Sequence, residues 1–278
     1  MISIESKLIL VTGLHIGDTK DSLNIGGVDS PVMKREVFCN DNGEVKFGGK
    51  RKVTEPYIAG SSLKGKIRSL LEYNFELIRV AEFLNKKKYK SKDNNKEEEY
   101  KAGSVIDSKF LQVLNYKDNY NMNNKELIIK RAKLIMLLFG ESGANKETSG
   151  INITRAIFRD CFITSEVRKA YLNNNIELFE VKYENVIDRI TGTTVTGGLR
   201  QIERVPSAVE FDFSVNIRIF EGDNEQLLKD TILLGLKLLE LDALGGNGSR
   251  GYGRVRFENI NEDIKKLRER IDNELNKS

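Results

Sequence analysis

One short segment combines the side chains that suit an anionic chain. Ser61 and Ser62 directly precede apolar residues at helical spacing, so we expect one of them to cap a helix N-terminus. The unpaired N–H groups and the positive dipole end of a helix start favour an anion. Lys64 and Arg68, four residues apart, share one face of this helix, and Lys66 is adjacent. The set suits a phosphodiester backbone, although an ordinary cap with solvated lysines fits the same residues.

A second segment, Gly246–Gly251, has the letters G-x-G-x-x-G with Arg250 inside it. The dinucleotide-binding fingerprint needs a strand before the glycines and a helix after them. Here a helical pattern precedes the glycines and a strand pattern follows. The chain also has no Gly-Lys-Ser/Thr sequence, so we expect no nucleotide cofactor. The segment is either a plain glycine turn or a flexible loop that lies close to phosphate groups.

Two further residues have side chains suited to acid–base or metal chemistry. Asp29 lies between Gly27 and Pro31, and taken alone this composition favours a turn aspartate over a catalytic one. His15 is the only histidine and lies at the end of the first predicted strand, where a structural hydrogen bond is the commoner role. Any Ser/His/Asp or Cys/His catalysis would depend on His15.

The composition excludes several classes of protein. The chain has 278 residues, enough for a core without staples, and its 45 basic and 41 acidic residues leave a net charge of +4. Two cysteines and one histidine exclude both a zinc cluster within the chain and a disulfide framework. No apolar run approaches the roughly 18 residues of a membrane span, and the first residues do not form a secretory signal. We therefore expect a soluble cytoplasmic protein without membrane contact.

Hydrophobic periodicity predicts the elements that position these residues. Residues 209–219 alternate between apolar and polar side chains, which indicates a strand with one buried face. Apolar residues at helical spacing predict helices over 61–75, 127–139, 225–241 and 261–275. The second of these helices is expected to end at Gly140. Further strands are expected over 2–12, 153–163, 176–187 and 251–257.

Three stretches do not fit this core and are expected to be insertions. Residues 17–56, rich in glycine and charge, predict a lid loop that carries Asp29. Residues 80–135 predict a lysine-rich helical insertion: from 86 to 133 there are thirteen basic and seven acidic residues, and 86–101 is expected to be solvated. Residues 185–206, polar with three glycines, predict a projecting hairpin.

The order strand, helix, strands, helix, strand is that of a ferredoxin-like α+β unit, which also underlies RNA-recognition domains. We therefore expect a single α+β domain over residues 1–278. In this domain the lid loop, the helical insertion and the hairpin interrupt a ferredoxin-like core.

Several segments, in order over most of the chain, resemble the RAMP superfamily, and specifically the repeated backbone subunit of type III-A (Csm) CRISPR effector complexes. The matching stretches are 12–17 (TGLHIG), 25–32 (IGGVDSPV), 56–66 (PYIAGSSLKGK), 154–155 with 159–160, 188–189, 203–206 (ERVP) and 245–253 (GGNGSRGYG). One glycine loop would be a weak signal, but the ordered combination is specific. Residues 85–125 depart from the family because they are longer and richer in lysine.

The resemblance implies a filament of identical subunits along a guide crRNA, in a complex with other subunits. The hairpin, with Arg189 and Arg204 near its base, would displace every sixth nucleotide of the paired target RNA, while base pairing selects the target. Asp29 would be both the catalytic residue and a ligand of Mg²⁺ or Mn²⁺, cutting the target beside each displaced nucleotide. The expected RNA contacts are His15, Ser61, Ser62, Lys64, Lys66, Arg68, Arg155, Arg189, Arg204 and Arg250.

Two other functions fit the same residues. The chain could be a structural, guide-binding subunit whose complex cuts RNA elsewhere. It could instead be a solitary RAMP nuclease that processes crRNA without metal, with His15 as general acid or base.

Overall fold

The computed structural model describes residues 1–17, 30–90, 96–117, 119–120, 123–141 and 153–277. Within these ranges the chain has a mixed α/β fold with one large antiparallel sheet. Its seven strands are β1 (Ile2–Leu10), β2 (Lys34–Cys39), β3 (Arg51–Ile58), β6 (Ala156–Phe158), β7 (Cys161–Ile163), β10 (Glu210–Ile217) and β11 (Val255–Phe257). Their order is β11-β1-β10-β7-β3-β2, and β6 pairs with β10.

Two smaller ladders and the helices complete the described part of the chain. The ladders are β4 (Lys88–Lys90) with β5 (Glu97–Glu99), and β8 (Glu180–Glu184) with β9 (Arg200–Arg204). The helices described are α1 (Gly60–Asn74), α2 (Leu77–Leu84), α3 (Ser108–Asn115), α4 (Lys125–Phe139), α5 (Ser165–Leu172), α6 (Glu225–Leu241) and α7 (Ile264–Lys277).

The central pair of strands follows the predicted alternation. On β10, Phe211 and Val215 point into the core, where they are fully buried. They pair in register with Leu8 and Ile4 of β1, so both strands bury the same face. The strand predicted over 209–219 is therefore confirmed, because one face of the sheet is covered while the other meets solvent.

Helices α1 and α6 cover that buried face and pack closely on each other. Their contact is at Gly235, where a Cβ would lie 2.5 Å from Ile67 Cγ2 and 3.1 Å from Leu71 Cδ1. The helix predicted over 225–241 has these bounds in the structure, and α4 ends at Gly140, whose φ is +81°. Both helices were predictable because a continuous apolar stripe faces the core.

The prediction that residues 17–56 lie outside the core is wrong for residues 34–39 and 51–56. These form β2 and most of β3, which extend the main sheet, and Val53 is buried. The charge that indicated a loop is partly internal, since Glu55 is fully buried between Arg35 and Arg168. Asp29 and the rest of 18–29 lie outside the described residues.

The prediction that residues 86–101 are solvated is also wrong for part of this stretch. Tyr89 and Tyr100 are buried in the core, and β4 pairs with β5. The two tyrosines supply apolar surface that is buried on folding. A count of charged residues misses this contribution, because charged residues surround both tyrosines in the sequence. The helical character predicted for 80–135 is found in α3 and α4, which contribute Phe110 and Ile135 to the core.

Candidate nucleic-acid interface

Several distant segments meet just beyond the C-terminal end of β1. Leu14 and Val205 exchange backbone hydrogen bonds of 2.9 and 2.8 Å, so the chain after β1 pairs with the chain after β9. On the other side, the amide of Gly246 donates to His15 O (2.8 Å) and that of Gly253 to Gly13 O (2.9 Å). The hairpin base and the glycine loop, residues 245–253, therefore flank the same short segment.

Glycine is required at the last contact of this loop. Gly253 has a φ of +71°, and a Cβ there would lie 1.9 Å from Leu244 O. Since backbone oxygen cannot give way as a flexible side chain can, only glycine lets residue 253 pack against Leu244 while its amide donates to Gly13 O. This requirement falls just after the letters that resemble a nucleotide motif, which end at Gly251.

Residues 13–15, the hairpin base around Val205 and the glycine loop together form the junction. His15 is held in one orientation inside it. Its side chain is buried, and Nδ1 lies 2.7 Å from the backbone oxygen of Glu203. Because a carbonyl only accepts, we assign a proton to Nδ1. The other nitrogen, Nε2, lies 3.4 Å from Ser30 Oγ and accepts its hydroxyl when the ring is neutral.

The segment that follows Asp29 is attached to the hairpin base. Ser30 forms a parallel bridge with Ile202, and Ser30 O accepts the Glu203 amide at 3.1 Å. Asp29 itself lies outside the described residues, and the structure gives no geometry for it. What the structure does describe is the next residue in the chain, which lies beside His15 and β9.

Glu203 is the functional candidate that the sequence gave no reason to single out by itself. Its carboxylate is buried and accepts the Val32 amide at 2.9 Å and Lys34 Nζ at 2.8 Å. In the sequence it stood only within the matching stretch 203–206. The available signal was the pattern of its apolar neighbours. Ile202 and Val205 do not follow the strict alternation of a strand with one solvent-facing side, on which a glutamate would be expected.

The hairpin base is joined to the glycine loop through Tyr252. The buried ring of Tyr252 lies 4.4 Å from Lys182 Nζ and 5.1 Å from the Arg204 guanidinium. Its hydroxyl donates to Glu184 at 3.0 Å, and Arg250 Nη1 lies 3.6 Å from the same carboxylate. Burial would raise the pKa of Glu184, but the Tyr252 hydroxyl and the neighbouring cations lower it overall.

The hairpin forms a two-stranded ladder that is separate from the main sheet. Its pairing starts at Glu180, earlier than the predicted start at 185, and its far end carries apolar side chains, with Ile190 96% exposed. Asp188 accepts the amides of Ile190 and Thr191, which lower its pKa and fix the turn. Arg189 is therefore at the tip, not near the base as predicted, whereas Arg204 is at the base.

The start of α1 does not have the predicted serine cap. Ala59 is the N-cap residue, and its side chain offers no acceptor. Instead the amide of Gly60 donates to Asp160 Oδ1 at 2.8 Å. Ser61 is exposed and Ser62 half-buried. The prediction is wrong because the acceptor comes from a carboxylate one hundred residues further along the chain.

The three cations of α1 have different surroundings. Burial, together with the adjacent Arg68, lowers the pKa of the half-buried Lys64. Lys66 Nζ lies 3.2 Å from Asp242, just before the glycine loop. Arg68 is buried, and its guanidinium donates to a neighbouring glutamate and to two backbone oxygens, those of 140 and 106. These bonds join α1 to the segments after α4 and before α3, so Arg68 has a structural role.

Arg155 lies apart from the other predicted contacts. It forms a two-pronged ion pair with Asp223, at 2.7 and 3.1 Å. The next residue, Ala156, pairs with Ile217, which pairs with Ile2 at the start of β1. Since β1 spans the sheet, Arg155 is at the opposite end from the junction around His15.

In the part of the chain that the structure describes, no three His, Cys, Asp or Glu side chains gather into a group that could hold a metal ion. Glu203, the carboxylate that contacts the segment after Asp29, is already engaged by Val32 and Lys34. The described side chains therefore do not fit a metal site by themselves. Among these same residues, no helix is long and apolar enough to cross a membrane.

The antiparallel sheet, the glycine loop and the separate hairpin define a class of α/β protein in which a hairpin base and a glycine loop meet at one end of the sheet. A family model described as the RAMP superfamily matches residues 7–256, and the chain belongs to this superfamily. Among its relatives is a protein of Methanocaldococcus jannaschii named CRISPR system Cms endoribonuclease Csm3, 33% identical over 93% of this chain and 79% of that protein.

Two further relatives carry the same printed name, CRISPR system Cms endoribonuclease Csm3. The protein from Methanothermobacter thermautotrophicus is 34% identical over 96% of this chain and 85% of its own length. The protein from Streptococcus thermophilus is 32% identical over 99% of this chain and 98% of its own length. The similarity thus covers nearly the whole chain, including every segment at the junction.

Proposed function

We propose that this protein is the repeated backbone subunit of a type III-A CRISPR effector complex, which binds guide crRNA and cuts complementary target RNA. The observation that carries the proposal is the meeting of the hairpin base, the glycine loop and the segment after Asp29 at one end of the sheet. The names of the relatives support the same activity. Other subunits of the complex, and further copies of this chain in a filament, are the proposed protein partners.

The strand order supports a ferredoxin-like core in this proposal. β1, β7, β10 and β11 take the order β11-β1-β10-β7, and α1 and α6 pack over them. This is the arrangement of a ferredoxin-like unit whose four strands are antiparallel. The hairpin of β8 and β9 would then serve as a thumb, and the chain before β2 as a lid.

The guide would lie across the α1 start and the glycine loop. Lys64, Lys66 and Arg250 provide cations there, and the loop backbone allows close approach to phosphates. Lys66 and Arg250 would exchange their present carboxylate partners for phosphate oxygens. Arg204 stiffens the hairpin base through Glu180 at 2.5 Å, so it supports the interface as well as adding charge.

The hairpin tip is suited to displacing a nucleotide. Ile187 and Ile190 are exposed at its end, where apolar side chains can replace lost base stacking. Extruding a nucleotide costs a few kcal/mol, which the phosphate contacts must offset. The extrusion would free the sugar beside it, so that its 2′-hydroxyl could align with the adjacent phosphorus, an alignment that A-form geometry prevents.

Asp29 is the proposed catalytic residue, acting on the strand that the hairpin opens. Its carboxylate would orient or deprotonate the 2′-hydroxyl, whose oxygen bonds to phosphorus while the bond from phosphorus to the 5′-oxygen breaks and that oxygen takes up a proton from water. A divalent cation, Mg²⁺ or Mn²⁺, would neutralise charge that develops on the phosphate when bound. Since the described side chains do not form a metal site, Asp29 would be its protein ligand and RNA oxygens the others.

The decisive experiment compares Asp29→Ala with Asp41→Ala in the reconstituted complex, using a labelled target RNA. Asp41 is an exposed carboxylate of the β2–β3 connection and serves as the control. We expect Asp29→Ala to abolish the cleavage ladder while guide and target binding stay within twofold of wild type. Asp41→Ala should cut normally, and EDTA should abolish cutting by the wild type.

Cutting retained in Asp29→Ala would contradict the catalytic assignment and favour a structural, guide-binding subunit. The solitary nuclease that uses His15 predicts metal-free cleavage of repeat RNA by the isolated protein. The buried ring, whose Nδ1 is bound to Glu203 O, gives this second function less support.

A further inference from the structure

All four polar groups of Glu203 are used, and three of them hold the segment of residues 30–34. Its amide donates to Ser30 O, and its carboxylate binds the Val32 amide and Lys34 Nζ. The fourth group, its backbone oxygen, accepts the Nδ1 proton of His15. Glu203, a single residue of the hairpin strand β9, therefore holds both the chain after Asp29 and the side chain of His15.

The carboxylate of Glu203 is buried and therefore needs partners for its charge. Glu203 is only 7% exposed, and a buried carboxylate is costly unless it is paired and hydrogen-bonded. Here one oxygen has a cation and the other an amide, which meets the requirement. Lys34 is itself held, since Nζ lies 4.6 Å from the ring centre of Phe179. The arrangement fixes the start of β2 against the hairpin.

We propose, on the basis of the function proposed above, that Glu203 is a positioning residue for target cleavage. It links the strand that carries the hairpin to residues 30–34, which directly follow Asp29 in the chain, so that the backbone leading to the proposed catalytic residue stays in register with the hairpin. Glu203 touches neither the substrate nor the reacting atoms. It acts through Val32 and Lys34, and through the chain that connects them to Asp29.

Cleavage rate should respond strongly to this link, because in-line attack tolerates little misplacement. A shift of about 1 Å in a reacting group costs about 100-fold in rate. Binding should respond weakly, since the phosphate contacts of the guide lie on α1 and the glycine loop. Substitution of the side chain also leaves the two backbone bonds of Glu203, to Ser30 and to His15, in place.

The test is a single-turnover cleavage assay of the reconstituted complex with labelled target RNA, alongside the dissociation constant of the target. We expect Glu203→Gln to cut about tenfold more slowly than wild type and Glu203→Ala about 100-fold more slowly. The glutamine can still accept the Val32 amide, but the alanine cannot. Guide loading and target affinity should stay within twofold of wild type in both.

Asp230→Asn is the matched control for the loss of a buried carboxylate. Asp230 is 2% exposed and binds Arg270, which joins α6 to α7 away from the junction. It should lose thermal stability yet cut at the wild-type rate at a temperature where it is folded. A Glu203→Ala rate within twofold of that of Asp230→Asn would overturn the proposal. Guide or target binding lost in parallel with cutting would overturn it equally.

Lys34→Met keeps the bond from Val32 to Glu203 and removes the ion pair together with the contact between Lys34 Nζ and the Phe179 ring, so it provides a test even when Glu203→Ala does not assemble. We expect it to cut several-fold more slowly with unchanged target affinity, and a wild-type rate would contradict the proposal. Asp29→Ala, run beside these variants, separates two kinds of failure. An Asp29→Ala complex that cuts contradicts the proposed function, whereas an inactive Asp29→Ala with a fast Glu203→Ala contradicts the positioning role alone.

Discussion

At the scale of single residues, two positively charged side chains of α1 have different roles. Lys64 is half-buried near the start of the helix, and Arg68, one turn later, is buried with three acceptors. Both lie on the face that the sequence predicts for an anion. Of these two residues, Lys64 is the one whose ammonium a phosphate could reach, since the Arg68 guanidinium is surrounded by protein.

Lys64→Ala should therefore weaken guide binding without regard to sequence. If Lys64 neutralises one phosphate, the slope of log Kd against log salt should fall in magnitude by about 0.7 for single-stranded RNA. The measurement is guide affinity over a series of salt concentrations. Lys265→Ala, which removes an exposed lysine of α7, should leave both affinity and slope unchanged. An unchanged slope in Lys64→Ala would show that this residue makes no phosphate contact.

Asp223 gives a prediction for the dependence of stability on pH. Burial would raise its pKa, but the hydrogen bonds from Arg155 and the Phe220 amide lower it overall. A carboxyl with a lowered pKa stabilises the fold above its ordinary value of about 4 and loses this contribution as pH falls through the folded value. The difference in free energy of unfolding between wild type and Asp223→Asn should therefore be constant from pH 7 to 5.

Below pH 4 that difference should shrink, as urea unfolding at pH 7, 5 and 3 would measure. Loss of the acidic partner leaves the Arg155 guanidinium with the Ile153 oxygen and the Phe220 ring, neither of which carries a charge. A difference that grows as the solution becomes more acidic would contradict the assignment. RNA binding should be little affected, because Arg155 lies at the opposite end of the sheet from the junction.

At the scale of elements, the glycine loop depends on two kinds of glycine. Gly251 and Gly253 both have positive φ, at +84° and +71°. A Cβ on Gly251 meets nothing within 4 Å, whereas a Cβ on Gly253 would overlap Leu244 O. The first position therefore requires glycine for its backbone conformation only, and the second requires it for space as well.

Gly251→Ala should cost about 1 kcal/mol in free energy of unfolding, the penalty of a left-handed alanine. Gly253→Ala should cost about 3 kcal/mol or more, because residue 253 must move away from the backbone of Leu244. Chemical denaturation measures both. Guide affinity should fall clearly only in Gly253→Ala, and equal costs for the two substitutions would contradict the packing described for Gly253.

At the scale of the whole molecule, two stretches that the sequence predicts as insertions differ in their relation to the core. The hairpin of β8 and β9 has its own ladder, and its tip is exposed. The lysine-rich stretch before α3 instead contributes Tyr89 and Tyr100 to the single core cluster. Function should depend on the first insertion and stability on the second.

Replacing residues 187–194 with Asn-Gly should leave the melting temperature within about 2 °C, since Val186 and Val195 already pair and a two-residue turn can close the hairpin. Guide binding should persist while target cutting is lost. Replacing residues 88–101 with a short Gly/Ser linker should lower the melting temperature by about 10 °C or more, because two buried tyrosines are removed. The reverse order of stabilities would show that the roles of the two insertions are exchanged.

The sequence by itself determined the elements with a regular apolar pattern. The alternation of residues 209–219 and the helical spacing of 225–241 report burial directly, because each side chain's environment follows from its place in a local repeat. The ordered motifs likewise pointed to the RAMP superfamily, whose model matches most of the chain. The alternation, the helical spacing and each single motif depend on residues that are close together in the sequence.

Only the tertiary structure decided which polar residues are internal and what they hold. Asp160 accepts the first amide of α1, Glu55 binds Arg168, and Glu203 fixes Val32, each across a separation of about one hundred residues or more. No local pattern encodes such pairs, because a buried charge is tolerated only where distant elements supply its partner. For the same reason the sequence indicated β2 and β3 as a loop, although the charge of Glu55 is neutralised inside the fold.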